Sequence, residues 1–436
     1  MNTHYDAIVI GGGLAGAITA RILSENRYRV LVVEKQPRLG QNNLSFRNAR
    51  GEVFDQGYHA LDENRSAFTT RFFTKAVGGR CRQMPLRRGL VLQGQLFDFN
   101  APAGLWPQDL AKHFPAQEIT DDIAGVPTRA EIARVYGEGF ATIVFEEILP
   151  SYPSILWSRE QGVPEEKLLG LIYPWFFPRA RREPRAQDES SRFHAAARQS
   201  GEQSILYPEE GGFGGFIEGI VRGIDEGFAS VQTGVKDIQC HFDKATRQLQ
   251  GVQCDGRTVT ADQYFWCAPV TMLAKLAGLR VPQLHPQRLA LGSFSFDREV
   301  TCPYHEILVG DPRIPIGRIS FPGRIGGGRN HLVQAEHLFP LGFHEVDPAT
   351  WRDECLESLR RTGIVAREAV VEDYQQVIEM RGFVSTEDLS AVVEGYRADF
   401  AAPGSSLHIP HLGLGPENIN RVVPSVFRTV YHALTQ

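Results

Sequence analysis

The chain has 436 residues, a length at which a single hydrophobic core stops growing, so two or three lobes are expected. With 42% hydrophobic and 22% charged residues it reads as a globular protein with little room for extensive disorder. A net charge of -5 gives no footprint for nucleic acid, and six cysteines without a CxxC pair give no zinc spacing, so neither a nucleic-acid partner nor a metal is expected.

The scattered cysteines fit reduced thiols, and Tyr5–Ile10 follows Met1 with no basic leader and no cleavage site, which leads to the expectation of a cytoplasmic protein. No apolar stretch is long enough to span a bilayer, so no transmembrane segment is expected.

The first element is the apolar run Ala7–Ile10, the pattern of a strand buried on both faces of a parallel sheet. Ile18 and Ile22 then lie one helical turn apart among small residues that let a helix pack close to a sheet. A second buried strand, RVLVVE, completes a β-α-β unit. Between them, Gly11-Gly12-Gly13-Leu14-Ala15-Gly16 satisfies GxGxxG. Gly11 serves a tight turn, Gly13 a close approach of backbone to a pyrophosphate, and Gly16 helix-sheet packing, while the helix N-terminus at Leu14 and Ala15 faces the anion. Glu34 ends the second strand, where a carboxylate accepts hydrogen bonds from ribose hydroxyls. Strand, helix, strand and acid together predict dinucleotide binding; the motif alone does not choose between NAD and FAD.

After Glu34 and Lys35 come a short loop with Gly40 and then GEVFDQGYHAL, which contains Gly57, Tyr58 and His59. This order resembles the glutathione-reductase-like FAD enzymes, and more closely the group containing UDP-galactopyranose mutase, protoporphyrinogen oxidase and the flavin amine oxidases. GQLFDFNAP, YPEEGGFGGFIEGIV, IPIGRISFP and GLGPENINRVV are similar to segments of the mutase branch. The resemblance implies an α/β fold: a Rossmann-type FAD-binding domain with an inserted α+β substrate domain of helices and antiparallel sheet. It implies FAD as cofactor, with the stretch from Glu34 and Lys35 through Gly40 and the Gly57–His59 turn around it.

Between about Arg80 and Ser204 the chain becomes rich in Pro, aromatic and Arg residues, with helical pieces such as RAEIARVYGEGFATIVFEEIL. Arg179, Arg181, Arg182 and Arg185 offer forks that match phosphate or carboxylate; a solvated loop and, with Trp175 and Phe176, a peripheral membrane contact are the other readings. Ala229–Cys240 and the stretch from Arg247 to Pro269 read as strands joined by turns, and the resemblance implies that the backbone near Val235 meets the adenine. A second antiparallel block runs from Leu289 to Pro340. In it Arg318 corresponds to an arginine that contacts a substrate diphosphate in the mutase branch; a structural salt bridge is the other reading. The resemblance likewise places His59 close to the isoalloxazine, against a reading as a packed, hydrogen-bonded histidine. At the C-terminus Gly413 and Gly415 precede Pro416 and an amphipathic run. The resemblance implies that this helix presents amide N–H groups, around Asn418 and Ile419, to the flavin pyrimidine.

The expected division is an FAD-binding domain of residues 1-80, 205-275 and 396-436, with a substrate domain of 81-204 and 276-395. Two functions follow. One is an FAD-dependent oxidoreductase on a small, anionic or neutral substrate, with His59 and Arg318 in the substrate site. The other is a mutase-like isomerase of a nucleotide sugar; the sequence Pro416-Glu417-Asn418-Ile419-Asn420 departs from the phosphate-gripping tyrosines of that branch. Oligomeric state has no sequence signal.

Overall fold

The computed structural model describes residues 3–40, 43–62, 66–98, 128–164, 204–243, 248–387, 389–400, 405–410 and 419–435. Two seven-stranded sheets organise them. The first half of the chain contributes β1 (Thr3–Ile10), β2 (Val30–Val33), β3 (Ser45–Arg47), β4 (Val53–Asp55), β5 (Leu61–Asp62), β6 (Cys81–Pro85), β7 (Arg88–Leu92), β8 (Gln95–Asp98) and β9 (Ser204–Pro208). The second half contributes β10 (Ala229–Gln232), β11 (Ile238–Asp243), β12 (Gln248–Cys254), β13 (Arg257–Trp266), β14 (His285–Phe296), β15 (Glu306–Val309), β16 (Arg318–Ser320), β17 (Leu332–Pro340), β18 (Val371–Val384) and β19 (Leu407–His408).

The first sheet has the order β10-β2-β1-β13-β12-β11, with β19 beside the second half of β13. Its centre is parallel: β2, β1 and β13 run together in the register Val33↔Ile10↔Trp266. Parallel strands are buried on both faces, which explains their unbroken apolar sequences. On one face Ala7, Val9, Val30 and Val32 meet α1 (Leu14–Glu25), α2 (Ala67–Ala76), α6 (Gly214–Arg222) and α11 (Ile419–Leu434). On the other, Ile8, Ile10, Leu31 and Trp266 meet α7 (Val270–Leu276) and α10 (Leu389–Phe400).

The middle of the chain supplies α3 (Arg129–Tyr136), α4 (Glu138–Ile143) and α5 (Pro153–Glu160). The single helix expected from Arg129 is broken at Gly137, whose φ of 91° no helical residue adopts. Thr128 and Glu131 form a capping box at its start.

The second sheet has the order β18-β14-β17-β16-β15-β7-β8 and is antiparallel except where β7 runs parallel to β15. Its strands alternate sharply. Ala290, Phe294, Val333, Ala335 and Ile307 enter an apolar core with Trp351, Cys355 and Leu359 of α9 (Trp351–Arg361), while Ser293, Gln334, Glu336, Arg318, Glu306 and Arg88 take the opposite face. That polar face turns toward the segment that leads out of β4. The short α8 (Pro322–Ile325) follows β16. All six cysteines are free thiols, and among the described residues no helix is long and apolar enough to cross a membrane.

Candidate functional site: a glycine crevice against a charged sheet face

The glycine turn between β1 and α1 has three different physical reasons for its glycines. Gly11 has φ +97°, and a Cβ there would lie 2.8 Å from the Ala268 nitrogen. A Cβ on Gly16 would lie 1.9 Å from the Gly11 carbonyl oxygen, so helix and turn touch through backbone. Gly13 is different: its φ is an ordinary -64°, and a Cβ would meet nothing within 4 Å. Neither the conformation nor the packing of the protein needs glycine at that position. Gly13 caps α1 without a side-chain hydrogen bond, and the first turn contains no acid, so the positive end of the helix opens onto this space.

Glu34, 3% exposed, closes the crevice from the end of β2. Its carboxylate accepts from the Gly12 amide at 2.5 Å and the Gln36 amide at 2.6 Å. Gly40 donates its amide to the Gly12 carbonyl, with φ +94° and Ile217 packed against it, so the loop after β2 folds back onto the turn. Lys35 is exposed. Val235 is buried and its amide reaches the Glu34 carbonyl at 3.1 Å, bringing the start of the β10–β11 connection beside the crevice.

From β4 the chain crosses to the second sheet. Asp55 is buried and accepts from Ser45 Oγ at 2.6 Å, Tyr207 Oη at 2.7 Å and the Phe213 amide at 2.9 Å. Burial nonetheless raises its carboxyl from 3.8 to about 6, with Glu336 adding to the rise. The segment 48–58 then lies along the polar sheet face, held by side chains. Asn48 Nδ2 donates to Ser295 Oγ at 3.0 Å and Glu52 meets His331 Nε2 at 2.6 Å. Gln334 donates to the Asp55 carbonyl at 2.9 Å, Arg381 to the Gln56 carbonyl at 3.2 Å, and the Tyr58 amide to Glu336 at 2.5 Å.

His59 follows, after Gly57 at φ +93°. Its Nδ1 lies 2.9 Å from the Gly57 carbonyl, an acceptor only, so Nδ1 carries the proton and Nε2 keeps a lone pair. The ring packs on Phe213 with centroids 5.3 Å apart, and burial lowers its pKa to about 4. Arg318 stands over the Tyr58 ring at 5.4 Å and donates to Glu336 Oε2 through Nη2 at 2.8 Å and Nε at 3.2 Å. Burial alone would lower its pKa, but the Glu336 and Glu306 carboxylates hold it above the ordinary value. Two more arginine-glutamate pairs share this face: Arg88 with Glu306 at 2.6 Å through Nε, both buried, and Arg381 with Glu379.

The structure thus gathers Gly11, Gly13, Leu14, Ala15, Gly16, Glu34, Gly40 and Val235 at one crevice, and Gly57, Tyr58, His59 and Arg318 at its junction with the second sheet. Ile419 begins α11 and packs on the core of the first sheet. Gly413 and Asn418, like Pro416 and the arginines 179–185, lie outside the described residues. Sequence reasoning did not single out Asp55, Tyr207, Glu306, Glu336 or Arg88. Asp55 and Tyr207 sit inside segments that drew notice, but the bond joining them spans 152 positions.

Residues 9–76 match the family model of NAD(P)-binding Rossmann-like domains. Over 63 residues, 14% of this chain, the sequence is 38% identical to the flavin-containing amine oxidase A of Bos taurus, of which the match spans 12%. Reduced UDP-galactopyranose mutase superposes with a TM-score of 0.69 at 12% identity, covering 99% of this chain and 96% of the mutase. An Exiguobacterium sp. 255-15 protein assigned as a protoporphyrinogen oxidase superposes at 0.64 with 14% identity over 100% of both chains. Sheet order and glycine turn define a Rossmann-like fold, in keeping with the family model matched by residues 9–76. In fold the chain is similar to UDP-galactopyranose mutase and to the protein assigned as a protoporphyrinogen oxidase.

Proposed function

We propose that the crevice holds FAD and that the chain is an FAD-dependent oxidoreductase acting on a small substrate at the polar sheet face. The observation that carries this reading is Gly13, where neither backbone conformation nor packing calls for glycine and open space stands at the N-terminus of α1. The uncapped start of α1 suits the pyrophosphate, and Glu34, already an acceptor of two amide hydrogens, suits the ribose hydroxyls. Bound there, FAD would supply hydride acceptance from a substrate C–H next to nitrogen or oxygen. His59, neutral at pH 7 with an open Nε2, offers an acceptor and no charge beside that site. We assign the nucleotide lobe to residues 1-80, 205-275 and 396-436.

The isomerase reading asks Arg318 to grip a diphosphate. Its guanidinium already gives two hydrogen bonds to Glu336, whose carboxylate offsets its charge, which supports the oxidoreductase reading over the isomerase.

The purified protein is expected to be yellow and to release FAD, not FMN, on denaturation; Gly13→Val is expected to abolish retention. A colourless protein that takes up no FAD overturns the reading. Anaerobic bleaching by amines, amino acids or hydroxy acids, with colour returning in air, separates oxidoreductase from isomerase.

A further inference from the structure

Two neighbouring helices on the outside of the first lobe carry no acid. α2 reads AFTTRFFTKA and α11 reads INRVVPSVFRTVYHAL. Yet acids outnumber Lys and Arg in the whole chain, 51 to 46. The inner faces, Phe73 on α2 and Val422, Val423, Val426 and Val430 on α11, join the core around α1. The outer faces form one aromatic ridge. Phe68 meets Phe427 edge-on with centroids 4.8 Å apart, Phe72 meets the same ring at 5.2 Å, and Phe427 continues to Tyr431 at 6.1 Å. Phe68 is 47% and Tyr431 48% exposed.

Cations flank this ridge. Positions 68, 71, 72 and 75 share one helix face, so Arg71 and Lys75 lie beside Phe68 and Phe72; Arg428 precedes Tyr431 by one turn. All three are exposed, and among the described residues none has a carboxylate partner. Some exposed arginines elsewhere are paired, such as Arg29 with Asp6, Arg50 with Glu372, Arg280 with Glu387 and Arg298 with Asp297, whereas no acid stands on these two helices. Where an acid does approach, at Glu25, it is bound by Arg21, whose guanidinium lies over Phe72.

We propose that this ridge seats the protein on an anionic phospholipid surface, with Phe68 and Tyr431 entering the headgroup layer and Arg71, Lys75 and Arg428 meeting lipid phosphates. An acidic polypeptide would satisfy the charges and leave the rings in water; a bilayer interface satisfies both.

Flotation with phosphatidylcholine vesicles, with and without phosphatidylglycerol, tests it. The protein floats with the anionic vesicles at low salt, not with the neutral ones, and high salt releases it. Replacing Arg71, Lys75 and Arg428 together with Gln weakens binding roughly a hundredfold, from about 1 kcal/mol for each cation near an anionic surface. The positions are exposed, so melting temperature and flavin content stay at wild-type values. If that variant fails to fold, Phe68→Trp decides: its added emission shifts to the blue on anionic vesicles only. Binding to neither vesicle, equal binding to both, or unchanged binding by the triple variant overturns the proposal. Binding to polyglutamate but not to vesicles overturns it in favour of an acidic polypeptide.

Discussion

The glycine crevice and the polar sheet face are adjacent but are built by opposite means. The crevice is made of backbone: Gly11 and Gly16 touch their neighbours without side chains, and Gly13 leaves a space that protein does not fill. The sheet face is made of side chains, with Arg88–Glu306 and Arg318–Glu336 set across neighbouring strands and Arg381–Glu379 along β18. A site defined by missing side chains tolerates almost no addition at its packed glycines. A site defined by paired charges tolerates no half-removal, because the partner is left ionised in a place without water.

The largest effect is expected on the sheet face. Arg88→Met leaves Glu306, fully buried, without its hydrogen-bonded counter-ion, and a loss of about 3–5 kcal/mol in urea denaturation is expected. Adding Glu306→Gln should restore most of it; a loss with Arg88→Met no larger than for an exposed arginine would break the contrast. Next comes Asp55, where the two regions meet. Its folded carboxyl titrates at about 6 against 3.8 ordinarily, so the stabilisation is full below about pH 4 and is lost as pH rises through 6. Relative to Asp55→Asn, the wild type should therefore lose on the order of 2–3 kcal/mol between those limits, measured as melting temperature against pH. A difference that grows with pH would show that Asp55 is ionised without penalty. The smallest effects on stability, and the sharpest contrast, come from the glycines. Gly16→Ala drives a methyl into the Gly11 carbonyl and should destabilise by about 1–3 kcal/mol. Gly13→Ala should change stability by less than about 1 kcal/mol while weakening FAD binding. Equal losses of stability in the two variants would mean that Gly13 serves packing after all.

The crevice was legible because it is local. Strand, turn, helix and Glu34 fall within one stretch, and each step has a residue-level cause: apolar runs for a doubly buried strand, glycine where backbone meets backbone, an acid at the strand end. The strands Ala229–Gln232, Ile238–Asp243 and Arg257–Trp266 also followed from alternation and turns. The second sheet was legible as strands from Leu289 to Pro340, but its chemistry was not. Nothing in the spacing of Arg88 and Glu306 announces that a parallel β7–β15 pairing sets them opposite each other. Arg318 was visible as an arginine, whereas its partner Glu336 became visible only through the β16–β17 register. Pairing across a sheet is a property of topology, which single-sequence patterns do not encode.

The seam along residues 48–58 bears on how the molecule moves. Its hydrogen bonds reach β14, β17 and β18 through Ser295, His331, Gln334, Glu336 and Arg381, and each contributes on the order of 1 kcal/mol or more where a charge takes part. The seam is not expected to open at a single residue, because parting it breaks these bonds together, along with the Arg50–Glu372 ion pair. Opening of the junction is then expected to leave this edge in place. The amide proton of Tyr58, locked onto Glu336, should exchange with solvent only when that part of the fold opens as a unit.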